Sequence, residues 1–153
     1  MDATEAAVGA SSRSDLAARS DGVTAKIRHA VQTRIIDTAP EEVSAALVDA
    51  PSRDVLVAAE AHARALARSR KSAAKIGLGT ATESAISSIR RACVGRIDEV
   101  LSQASGSGDP AANKANANAV VFQSVRLIEL ADGAASARQI LANARQRLKA
   151  LAG

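Results

Sequence analysis

Small or apolar residues recur every seven places from Val120 to Leu151, and this repeat constrains the fold more than any other feature of the chain. With Val120 at position a, the a sites are Val120, Leu127, Ala134, Leu141 and Leu148. The d sites are Gln123, Leu130, Ala137, Ala144 and Leu151. A stripe of that period obliges a helix to lie against a neighbour, because its apolar side is otherwise left in water. At 1.5 Å per residue the repeat predicts a rod at least about 45 Å long. Asp132-Gly133 reads as a stop signal, and Ser136 to Gln139 could restart a helix. The register nevertheless passes Gly133 unshifted, so one continuous helix is the expectation.

The first half of this segment is apolar on a second side, since Val121, Phe122, Val125 and Ile128 occupy b, c and f sites. Either it lies in the middle of a bundle or it forms an interface with another copy. The candidate interface is Val120, Val121, Phe122, Val125, Leu127, Ile128, Leu130, Leu141, Leu148 and Leu151. Arg138 and Arg145 stand at e sites and Arg126 and Arg147 at g sites, with no acid among them. Those arginines would repel in a parallel homodimer, so antiparallel packing in a bundle, or a partner with acidic edges, is expected.

The remaining sequence supplies neighbours for that rod. Alanine makes up about a quarter of the 153 residues, and Phe122 is the only aromatic. Alanine is the best helix former and a poor strand former, so the bias predicts helices packed closely through small side chains. Apolar residues at Leu16, Val23, Ile27, Val31 and Ile35 predict a helix from Asp15 to about Ile36. Thr38 with Glu41, and Thr80 with Glu83, match capping boxes that would open new helices. Pro51 ends the first of these near Ala50, Ser52 or Asp54 starts the next, and Gly77-Leu78-Gly79 closes it near Ile76. Ile86, Ile89, Cys93, Ile97 and Val100 share the inward face of the helix after Thr80. Asp109-Pro110 is an N-cap followed by proline at the first helical position.

The expected organisation is an all-α bundle of four or five helices with a long C-terminal heptad helix, resembling a coiled-coil strand, as its spine. A disordered tail is expected over 1–14, the bundle segment over 15–101, a flexible linker over 102–109, and the long helix over 110–153.

Charge is uneven along the chain. Met1 to Ser52 carries 5 Lys/Arg against 8 Asp/Glu, Arg53 to Leu101 carries 9 against 5, and Ser102 to Gly153 carries 6 against 3. Such polarity pairs internally or recruits an acidic partner. At 100° per residue from Leu56, Ala59, Ala63, Leu66, Ala73 and Ile76 face one side, centred near about 280°. Arg53, Arg64, Arg68, Lys71 and Lys75 lie nearly opposite, at about 60° to 120°. This row is a solvated face, with Glu60 pairing to Arg64, a strip for phosphates or an acidic surface, or an internal partner of the acidic first segment.

Little in the chain points to chemistry. His29 and His62 sit in no ligand pattern, and Cys93 lies on an apolar face with no His placed to activate it. Gly77-Leu78-Gly79-Thr80 lacks the preceding strand and the lysine of a phosphate-binding loop. The tract Asn113 to Asn118 reads equally as a frayed first turn or a polar patch. Stacking platforms and ligand pockets both need aromatic faces, which this composition withholds. No catalytic residue, cofactor or metal is therefore assigned.

The expected function is non-enzymatic: a structural or self-assembling helical protein acting through helix–helix interfaces, such as a subunit of a bacterial filament, shell or secretion apparatus. Its partners would be further copies or another helical protein. One alternative is a nucleic-acid-associated protein using the basic row, binding without sequence preference. A second is an exported effector or secretion-apparatus component, an idea resting on the Ser/Ala-rich opening. No apolar run reaches the length of a membrane span, and no secretory signal is legible, so a cytoplasmic protein is expected, with signal-independent export the other route.

Overall fold

The computed structural model describes the backbone of residues 3–152 and the side chains of residues 13–151. The fold is an all-α bundle, with no strand among the described residues. Helix α1 (Ala3–Val31) runs into a π-helical turn at Gln32–Ile36 and on into α2 (Thr38–Ala46). Four helices follow: α3 (Arg53–Lys75), α4 (Gly79–Ala104), α5 (Pro110–Asp132) and α6 (Ala134–Ala152). No helix of the described residues is long and apolar enough to cross a membrane.

Helices α4 and α5 form the centre. α4 packs on α2, α3, α5 and α6, and α5 packs on α3, α4 and α6. Small side chains make this close packing feasible. Ala59, Ala63 and Ala73 of α3, Ala117 and Ala131 of α5, and Ala144 of α6 are almost fully buried. Leu66, Ile86, Ile89, Leu127 and Ile128 fill the space between them. The inward face expected for α3 is the one observed.

Three helix boundaries form as their residues dictate. Ser52 Oγ accepts from the Val55 amide at 3.3 Å and starts α3. Asp109 Oδ1 accepts from the Ala111 amide at 3.1 Å, with Pro110 leading α5. At the end of α3, Gly77 takes φ +80°. Its amide donates to the Ala74 carbonyl at 3.2 Å, and the Leu78 amide donates to the Ala73 carbonyl at 2.8 Å. Those two bonds satisfy the last carbonyls of the helix, and only glycine adopts that φ without steric cost.

Both capping boxes are corrected. α2 does begin at Thr38, but without a side-chain cap and without a break in the backbone, because Asp37 keeps helical angles and its amide donates to the Gln32 carbonyl at 2.8 Å. Thr38 Oγ1 donates to the Thr33 carbonyl at 2.7 Å, so its hydroxyl serves the π turn. The wide turn inserts one residue and brings Ile36, Ala39, Val43 and Ala46 into the core together. At the second box, α4 already begins at Gly79, and Glu83 is held by Arg70 of α3 instead of turning back on the backbone.

The expected rod is also corrected. Gly133, at φ +99° and ψ 171°, separates α5 from α6. α6 then packs back on α5, and Lys114, Val121 and Phe122 of α5 line one cleft with Leu141, Leu148 and Lys149 of α6. The heptad period survived the break because each helix buries the same stripe. Ala137, Ala144 and Leu148 face inward from α6 as Leu127 does from α5.

The expected linker is shorter than 102–109, since α4 continues through Ala104. Of the tail expected over 1–14, residues from Ala3 have helical backbone as part of α1, and residues 1 and 2 lie outside the described residues.

Candidate interaction surfaces

Three surfaces of the described residues bear on interaction once the bundle has closed. The first is α1, which among the described residues has no substantial packing against α2 to α6. It is tied at its C-terminal end, where Arg28 Nε donates to the Ile76 carbonyl at 2.8 Å and Val31 packs against the core. Leu16, Val23 and Ile27 lie near one face of α1 and are 62%, 56% and 50% exposed. Val31 and Ile35 continue that row at the base, where both are half-buried against the core. The row is thus a core face at one end and an uncovered stripe along the rest.

The second is the basic row on α3. Arg53, Arg68, Lys71 and Lys75 are exposed, and among the described residues none has a carboxylate within ion-pair distance. Arg64 is the exception, its Nη2 lying 3.2 Å from Glu60 Oε2. Arg70 lies off the row. It forms a forked pair with Glu83 at 2.5 and 2.6 Å, and holds that carboxyl below the usual carboxylate range by this hydrogen bond. Asp132, at the end of α5, lies 2.8 Å from Arg90 of α4 and 3.9 Å from Arg70. Arg70, Glu83, Arg90 and Asp132 together tie α3, α4 and α5 where α5 stops. Neighbour-by-neighbour sequence reading missed this group because its members are separated by up to 62 positions.

The third is a cleft of about 240 Å³ between α5 and α6. Val121 and Leu148 lie at its floor, and Phe122, 55% exposed, stands at its edge. Lys114, Arg145 and Lys149 line it as well.

The interface expected at the C-terminal segment is divided by this arrangement. Val121, Val125, Leu127, Ile128 and Leu148 are covered by the chain's own helices. Val120, Leu130, Leu141 and Leu151 are half-buried at the margin of the same core, and Phe122 alone of the ten is exposed. The second apolar side of α5 is therefore explained by its central place in the bundle.

The residues weighed for chemistry do not gather. Cys93 is buried, and the apolar surroundings push its thiol up to about 12. His29 is exposed on α1, and His62 is half-buried on α3. Arg96 was not singled out in the sequence, yet it is nearly buried in α4, with Nη1 2.9 Å from Glu99 Oε2 and Nη2 2.5 Å from Asp49 Oδ1. On the far side of α4, Arg147 of α6 pairs with Asp98.

No family model matches the chain, and no curated protein or solved structure is significantly similar to it.

Proposed function

We propose that this chain is a non-enzymatic helix–helix interaction protein that assembles with further copies through α1. The observation that carries the reading is the uncovered row Leu16, Val23 and Ile27 on a helix the bundle leaves alone. An isolated helix is marginal in water, and its stability comes from tertiary packing of an apolar face. Counting heptads with Leu16 and Val23 at d and Ser20 and Ile27 at a puts Arg19 and Lys26 at g. In a parallel pair these face Thr24 and Val31 of the other copy. In an antiparallel pair Arg19 faces Lys26, so the parallel arrangement avoids like-charge contact.

Light scattering on chromatographed protein tests this at several concentrations. A mass above one chain at micromolar concentration, falling to one chain in a Leu16→Glu, Val23→Glu variant, is the expected result. A mass of one chain in the unaltered protein at that concentration would overturn the reading.

The four unpaired cations of the basic row favour one other reading, a nucleic-acid-associated protein binding phosphates without sequence preference. Its test is retention on DNA at low salt. Retention unchanged when Arg53, Arg64, Arg68, Lys71 and Lys75 are replaced by Gln would remove it.

A further inference from the structure

The cleft between α5 and α6 combines an apolar floor with charge of one sign. Lys114, Arg145 and Lys149 line it, and no carboxylate does. α6 contains no Asp or Glu, and the first on α5 is Glu129, about 10 Å along the helix beyond Phe122 at 1.5 Å per residue. A volume of about 240 Å³ is below the roughly 300–1,000 Å³ of pockets that enclose a small ligand. The space accordingly suits a row of side chains better than a whole molecule. Its walls have the matching length: Lys114, Asn118 and Val121 on α5, and Leu141, Arg145 and Leu148 on α6, recur at three- and four-residue steps. The cleft therefore runs along both helices for about two turns, the span over which an incoming helix presents anchors at i, i+4 and i+7.

We propose that this cleft receives an amphipathic helix of another protein, with apolar anchors against Val121, Phe122 and Leu148 and with Asp or Glu along its edges facing Lys114, Arg145 and Lys149. An exposed aromatic at the rim of an apolar patch is the residue type enriched where proteins meet. A second copy of α1 is the wrong occupant. At 100° per residue from Leu16, Arg19 and Lys26 lie within about 80° of its apolar row, so that helix brings basic edges to a basic cleft. The inference uses a different surface from the assembly through α1 and stands apart from it.

The probe is a labelled synthetic helix with Leu at i, i+4 and i+7 and Glu at the flanking sites, and its twin with Lys in place of Glu. Fluorescence anisotropy is read against the full chain at low and high salt. The Glu peptide is expected to bind, to weaken as salt rises, and to lose about tenfold or more in affinity, a step of about 1.4 kcal/mol, with Arg145→Glu, Lys149→Glu and with Phe122→Ala. The Lys twin is expected not to bind. All three substituted residues are exposed, and an unchanged helical circular dichroism spectrum confirms that the variants fold. The Leu16→Glu, Val23→Glu variant is expected to bind the Glu peptide like the unaltered chain, which separates this inference from assembly through α1. Equal binding of the two peptides, no binding of the Glu peptide up to about 1 mM, or binding indifferent to Arg145→Glu, Lys149→Glu would overturn the proposal. Saturable binding of dodecanoate without binding of the Glu peptide would assign the cleft to anionic amphiphiles and overturn it equally.

Discussion

Asp49 Oδ1 accepts a hydrogen bond from Arg96 Nη2 at 2.5 Å, so an aspartate 85% exposed after α2 caps an arginine only 9% exposed in α4. The burial lies on one side of the pair, and that asymmetry decides what each substitution does. Asp49 and Glu99 can return to water when Arg96 is removed, whereas the guanidinium cannot when they are. Arg96 Nε already lacks a partner. Removing both carboxylates, by Asp49→Ala with Glu99→Ala, is expected to cost about 2–3 kcal/mol. Arg96→Met retains the packing of the stem without the charge and is expected to change stability by less than about 1.5 kcal/mol. Urea unfolding distinguishes the two, and equal losses would refute the account.

The core face of α3 and its exposed side differ in what they support. Leu66 is fully buried in the core, so Leu66→Ala, which leaves a cavity there, is expected to cost about 2–5 kcal/mol. Val57, exposed on the same helix, is expected to tolerate alanine within about 0.5 kcal/mol. A midpoint shift of similar size in both variants would contradict the assigned face.

Gly133 separates α5 from α6 at backbone angles that nearly all other residues avoid. Beyond the two chain neighbours, no atom lies within 4 Å of the place a Cβ would occupy, so the cost of a side chain there is conformational and not a clash. Gly133→Ala is expected to lower stability by about 1–3 kcal/mol while leaving helix content unchanged. A gain in stability on thermal unfolding would show that the break is not held in this geometry.

Cys93 links stability to alkaline pH. Its folded value, about 12, lies above the roughly 8.5 of an unfolded thiol. The contribution is thus fully present below the unfolded value and is lost as pH rises toward the folded one. Between about pH 9 and 11 the single thiol is expected to remove about 1.4 kcal/mol per pH unit, a slope that Cys93→Ala abolishes. Denaturant midpoints across that range check it. The same burial predicts that thiol reagents at neutral pH label Cys93 only as fast as the bundle opens.

Much of the candidate interface was legible as apolar surface but not as to its owner. Periodicity marks Val121, Leu127, Ile128 and Leu148 as residues that must be covered. It cannot say whether the cover is α3, α4 and α6 of the same chain or another copy, because both remove the same area from water. The reverse holds for α1. Leu16, Val23 and Ile27 carry the same kind of signal, yet among the described residues they are left exposed. The cleft between α5 and α6 was not legible at all, since it exists only because α6 turns back.

The chain's own residues decided that the protein is helical, where α3 starts and stops, where α5 starts, and which face of α3 turns inward. Each of these follows from local chemistry: alanine's propensity, the hydroxyl of Ser52, the carboxylate of Asp109, the φ of Gly77, and a stripe of period 3.6. Only the tertiary structure decided that Gly133 ends one helix and begins another, that Thr38 serves a π turn, and that Glu83 belongs to Arg70. A periodic pattern records the phase of a helix, not its direction. A side chain that could cap its own backbone goes elsewhere when a cation from another helix is within reach.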